Sequence, residues 1–268
     1  MATLHAWATD AWFNGNLVDH TWVTTYDNRT TPYPDIPDVQ NHGEHYWFSW
    51  GDFHEVGEGH ADGSGALGSA AADIGMAICI ALPDVETRTD PRAQGTIHRY
   101  GIDGVCHQLS NQVLVATTGF VGSGTPLTVS KARGYWLSTF MYGTYGVDQA
   151  AWRAKLASCQ TIGTTMPIPP SHDDEADEFQ QHARRVLGDD EKTLRALLDL
   201  RRTALHAGTA AGVETPGTAE DINARNQRFF DQAAQLLGRE RYVALFGVEP
   251  EQRVGLVDPK MLGQAATR

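Results

Sequence analysis

Hydrophobic and polar positions along the chain change period as it proceeds. From Leu17 to Tyr26, His20, Trp22, Thr24 and Tyr26 alternate with Thr21, Val23 and Thr25. A period of two in β-branched and aromatic residues predicts a strand. Tyr46, Phe48, Trp50, Asp52 and His54 share one face of a second strand over 45–54. Antiparallel pairing would bring Asp52 and His54 near His20 and leave His45 far away. Pro32, Pro34 and Pro37 make 28–44 a loop, long enough to overhang a site. Residues 57–69 are Gly-rich and read as a connection. The small residues of 66–82 then predict a packed, buried helix, with Cys79 as inert core.

A Gly101–Gly104 turn precedes Val105, Leu109 and Val113, whose spacing of four predicts a helix with Cys106 in its first turn. Residues 127–130 and 135–142 read as short strands, and 148–159 as a short helix. Pro167, Pro169 and Pro170 mark a linker, after which the pattern is helical. Leu194, Leu197, Leu198 and Leu205 form one stripe; Ile222, Phe229, Phe230, Ala233, Leu236 and Leu237 form another. Thr218 and Asp221 resemble a capping box, and Gly238 and Gly247 resemble helix stops. The expected fold is α+β, an antiparallel sheet packed with helices and followed by a C-terminal helical hairpin. The expected divisions are an α+β domain over 1–162, a linker over 163–175 and a helical region over 176–268.

Composition narrows the function. A formal charge of −12 disfavours nucleic acid as a partner. With only 3 cysteines, Cys79, Cys106 and Cys159, a disulfide framework is not expected. No basic-then-apolar leader is visible and no apolar run reaches the length of a membrane span, so a soluble cytoplasmic protein is the expectation. The 57–69 segment lacks a phosphate-loop pattern, and no cofactor is implied.

The sharpest candidate chemistry is at Cys106. Unpaired N–H groups and the helix dipole favour a thiolate at a helix start. A cysteine nucleophile also needs a base and a group that orients the base. The motifs Asp19-His20-Thr21-Trp22-Val23 and Gly104-Val105-Cys106-His107-Gln108 resemble the circularly permuted papain-like group, the permuted NlpC/P60-type thiol hydrolases and acyltransferases. That resemblance implies Cys106 as nucleophile, His20 as base and His54, or else Asp52, as the third group. It implies amide or peptide hydrolysis, or acyl transfer, through a thioester on a small-molecule or peptide substrate. His107, Gln108 and Trp22 are candidate substrate contacts, and the C-terminal helices are candidates for a homodimer contact. Two rival readings follow from other residues. His42, His45, His54, His60 and Asp62 lie close in sequence and suggest a metal-dependent hydrolase, without a strong ligand motif. The aromatic N-terminus, with Trp7 and Trp12, suggests a non-catalytic binding surface.

Overall fold

A computed structural model describes residues 2–11, 17–29, 46–50, 65–82, 94–117, 126–159, 173–174, 177–207, 217–259 and 261–262. The architecture is a small antiparallel sheet packed against several helices. The strands are β1 (Ala2–Asp10), β2 (Asp19–Thr24), β3 (Trp47–Phe48) and β4 (Ala66–Ala72), in the spatial order β3-β2-β1-β4. The helices are α1 (Ile74–Ala81), α2 (Cys106–Leu114), α3 (Tyr135–Tyr142), α4 (Gln149–Cys159), α5 (Glu178–Leu187), α6 (Glu191–Ala207) and α7 (Ala219–Phe246).

All six residues of β2 are buried. A strand covered on both faces reads as continuously buried even when its residues alternate in polarity. β1 lies beside it in antiparallel register, with Trp7 opposite Trp22 and Thr9 opposite His20. Val23 and Thr24 pair with Phe48 and Trp47, so the two expected strands do run antiparallel, although β3 is short. His54 and Asp52 lie outside the described residues.

Three sequence expectations change. The strand β1 has no counterpart in the reading above, although its sequence carried the signal: Ala2, Leu4, Ala6 and Ala8 alternate with Thr3, His5, Trp7 and Thr9. The expected helix over 66–82 divides: β4 forms the sheet edge, and only Ile74–Ala81 is helical. Asp73 makes the break, its carboxylate accepting from the Met76 N–H at 3.1 Å as an N-cap. Tyr135–Tyr142 is a helix, not a strand. Gly134 and Gly143, both at positive φ, bound it. Its aromatic composition favours a strand locally, but seven of its eight residues are buried, so packing decides.

The C-terminal helices α6 and α7 are adjacent, and α3 packs against α5, α6 and α7. Asp221 at the third position of α7 completes a capping box with Thr218. Gly238, at φ 72°, interrupts α7, and Gly247 ends it. Beyond it, Val254, Leu256, Val257 and Met261 are buried. Asn223 clamps Val257 there, its side chain donating to the carbonyl at 2.8 Å and accepting from the N–H at 3.0 Å. Among the described residues no helix is long and apolar enough to cross a membrane.

Cys79 and Cys159 form a disulfide that ties α1 to the end of α4. The expectation of unpaired cysteines, with Cys79 as inert core, is therefore corrected. Eighty residues separate the two in sequence, and only the tertiary packing of α1 on α4 brings them together.

Candidate functional site

All nine residues of α2 are buried, although five of them are polar. Their hydrogen bonds explain how. Gln108 donates to the Gly143 carbonyl at 2.9 Å, Asn111 to the Thr144 carbonyl at 3.0 Å and Gln112 to the Tyr145 carbonyl at 2.6 Å. Three side-chain amides thus hold three successive carbonyls of the segment after α3. Their oxygens are used as well, accepting from the N–H groups of Val105, Val129 and Thr96. Burying an amide is tolerable only when its donors and acceptors are matched, and here they are. His107 is fully buried, with Nδ1 2.8 Å from Ser138 Oγ and Nε2 2.9 Å from the Asp19 carbonyl oxygen.

Cys106 opens α2 as expected, but it is only 5 % exposed. Its sulfur lies 4.0 Å from the Asp19 carbonyl oxygen. Burial pushes the thiol up to about 11, against smaller contributions from hydrogen bonds with Thr21, His107 and Tyr100. Desolvation of the thiolate outweighs whatever the helix start contributes. At neutral pH the sulfur is therefore protonated. His20 Nε2 lies 3.1 Å from Ser49 Oγ, and its ring stacks on the fully buried Trp22 at 6.0 Å. His20 and Cys106 line one cavity with Tyr100, Leu256, Asp258 and Met261. Its volume is about 10 Å³, roughly what one water needs.

These findings overturn the thiol hydrolase and acyltransferase reading. Two of the three cysteines are oxidised, and the third is a buried, protonated thiol. The metal-dependent reading rested on other residues. His42, His45, His54, His60 and Asp62 lie outside the described residues. Among the described residues no three histidine, cysteine or acidic side chains group to hold an ion. Nor is Trp7 part of a binding surface: it is buried and donates to Thr24 Oγ1 at 2.7 Å. Trp12 lies outside the described residues.

Two measurements check this site. Iodoacetamide is expected to leave Cys106 unlabelled in the native protein and to label it once denatured; native labelling within minutes would contradict its burial. The second concerns pH. Burial lowers His107 to about 4. An unfolded histidine takes its proton near 6.5, so the stability due to neutral His107 is complete above that pH. It is lost as pH falls through 4. Asp19 works in the opposite sense, because burial raises its carboxyl to about 7 despite the bond from the Arg133 N–H. Its contribution is present below about 4 and is lost as pH rises through 7. The His107 effect is therefore read as a difference. The stability advantage of wild type over His107→Gln should shrink by about 3 kcal/mol between pH 7 and pH 4. A constant difference in urea denaturation across that range would contradict it.

A larger cavity lies elsewhere. About 280 Å³ opens beside α5 and α6, lined by Gln180, Arg184, Leu198, Arg201, Arg202 and Leu205. Asp173 also reaches its lining. Arg201 is 2 % exposed. Its Nη1 donates to Asp177 Oδ1 at 2.6 Å, its Nη2 to the Thr139 carbonyl at 3.3 Å, and its guanidinium lies 4.5 Å from the centre of the Phe179 ring. The Nε–H is buried and has no acceptor among the described residues. Few buried donors in proteins are left so. Arg184 and Arg202 add positive charge at the exposed rim, each with an acidic neighbour, Glu191 at 3.7 Å and Asp199 at 3.0 Å.

This site was missed at the level of sequence, although a signal was there. Leu194, Leu197 and Leu205 are the buried stripe of α6, and Arg201 falls in the same stripe. A charged residue at a core position of an amphipathic helix requires a buried partner, a ligand, or both. Compared with protein-family models, with curated proteins and with solved structures, the chain finds no match.

Proposed function

We propose that the protein binds a small molecule bearing an oxyanion, seated over Arg201 in the cavity beside α5 and α6. The observation that carries this reading is the buried Arg201 Nε–H, without an acceptor among the described residues, on a side chain that lines a cavity large enough for a ligand. A carboxylate or phosphate oxygen supplies the missing acceptor. Charge-assisted bonds of this kind are roughly twice as strong as neutral ones. Asp177 already balances the Arg201 charge, and Arg184 and Arg202, each with a carboxylate nearby, add further N–H donors at the rim. The net charge of −12 opposes anions at long range, but salt screens it over about 8 Å.

The Cys79–Cys159 disulfide supports an oxidising working environment, since thiol pairs in reducing compartments stay reduced. Kinship with the permuted papain-like group extends, in this reading, to the scaffold alone: β2 carries His20, α2 opens on Cys106, and no thiol chemistry is assigned.

The test is titration with acetate and with inorganic phosphate against chloride at equal ionic strength, following the Arg201 Nε–H resonance by NMR. At least one of the two anions should shift that resonance saturably. Arg184→Gln with Arg202→Gln should weaken binding several-fold while leaving the fold intact. An Nε–H signal that responds to neither anion beyond the chloride control overturns the reading.

A further inference from the structure

We infer that the segment 254–258 is a strap that leaves the body of the protein as a unit, and that in its closed position it blocks the cavity between His20 and Cys106. The inference is independent of the Arg201 cavity.

The segment follows α7 through the exposed residues 251–253 and is held from two sides. From α7, Gln227 Oε1 accepts from the Val254 N–H at 3.2 Å, and Asn223 bonds both backbone groups of Val257. On the other side is the turn at Gly101. A Cβ there would stand 2.7 Å from a Val257 methyl carbon, and Gly101 sits at φ 78°, so only glycine lets the valine press against the turn. Val254, Leu256 and Val257 are buried. Leu256 and Asp258, with Met261, complete the lining of the cavity that His20 of β2 and Cys106 of α2 share.

The hold on this segment is local. Among the described residues 254–257 makes no backbone–backbone hydrogen bond, and the three bonds above come from two side chains of α7. A segment without a ladder of backbone bonds, fixed by a few buried side chains, opens more readily than the sheet and helices behind it. The disulfide joins α1 to α4 and does not restrain it. In the closed state the cavity of about 10 Å³ has room for roughly one water. Any larger molecule at His20 has to displace Leu256 or Met261 first. Docking of the strap and occupancy of the cavity therefore exclude each other, and the segment is an internal competitor for the site it covers.

The experiment is native-state hydrogen exchange on the full chain, with alkylation of Cys106 by iodoacetamide over hours as a second readout. The thiol serves only as a reporter. The Val254 and Val257 N–H groups should exchange together, ahead of those of α2, at a rate nearly flat in low urea, because local opening exposes little surface. Alkylation should show the same flat dependence. Asn223→Ala removes two of the three bonds and should speed Val254 exchange and Cys106 alkylation roughly tenfold. Val254 keeps its own acceptor in that variant, so its acceleration reports the whole segment. The double variant Cys79→Ser with Cys159→Ser is destabilised through its unfolded state and should leave both rates unchanged. Exchange at Val254 that rises with urea as steeply as that of α2 overturns the inference. So does a disulfide variant that speeds the two rates as much as Asn223→Ala, or alkylation that Asn223→Ala fails to accelerate.

Discussion

Asp177→Ala should destabilise the protein by about 4 kcal/mol, the cost range for removing one partner of a buried ion pair. The fully buried carboxylate does several jobs at once. Its Oδ1 accepts from Arg201 Nη1 at 2.6 Å and from the Phe179 and Gln180 N–H groups at 3.1 and 3.2 Å, capping α5. Its Oδ2 accepts from Thr144 Oγ1 at 3.3 Å. Thr144 belongs to the same segment whose carbonyls α2 holds, so this one side chain connects α5, α6 and the α2 network. Alanine removes the cap, worth about 1 kcal/mol, and leaves the Arg201 charge buried without its counterion. For a chain of this size the melting temperature should fall by roughly 10 °C. Asp177→Asn keeps acceptors for the cap and should lose less. The double variant Asp177→Ala with Arg201→Met removes both charges and should be more stable than Asp177→Ala alone. If the double variant loses the sum of the two single losses, the pair is not coupled as described.

The Cys79–Cys159 bond supplies the second large effect. Closing a loop of eighty residues constrains the unfolded chain, and its loss should cost about 2–4 kcal/mol. Cys79→Ser, Cys159→Ser and the double variant should all lose the same amount, because each removes the same bond. A reductant should lower the wild-type melting temperature to the level of the variants and leave theirs unchanged. Additive losses from the two single substitutions would mean that the cysteines act as separate core residues.

The two effects differ in origin. Asp177 acts in the folded state, where a charge depends on its partner in a medium that solvates it poorly. The disulfide acts mainly through the unfolded state, by limiting its conformations. Guanidinium denaturation should separate them: the reduced protein exposes more surface on unfolding and should show a steeper denaturant dependence, whereas Asp177→Ala should change the midpoint at constant slope.

Sequence and structure part company where side chains depend on distant partners. The alternation of Thr21, Trp22 and Val23 placed β2 correctly, because a period of two is a local property. The Thr218–Asp221 capping box and the Gly247 stop were likewise readable, since each is closed within a few residues. Tyr135–Tyr142 was misread because its aromatic residues favour a strand until they are surrounded on every side. The first turn of α2 was placed correctly, but the ionisation of Cys106 was not. A helix start favours a thiolate, yet β2 and the segment around Leu256 exclude the water a thiolate needs.

What the amino-acid order determines by itself is therefore the set of local choices: where β2 lies, that α2 begins at Cys106, that amphipathic helices follow residue 176, and where several of them start and stop. Packing alone decided that Cys79 meets Cys159, that Gln108, Asn111 and Gln112 hold carbonyls more than thirty residues away, and that Arg201 sits buried with its Nε–H lacking an acceptor among the described residues. The physical reason is range. Backbone propensity and side-chain periodicity act over a few residues, whereas desolvation and hydrogen-bond matching depend on which surfaces the completed fold brings into contact.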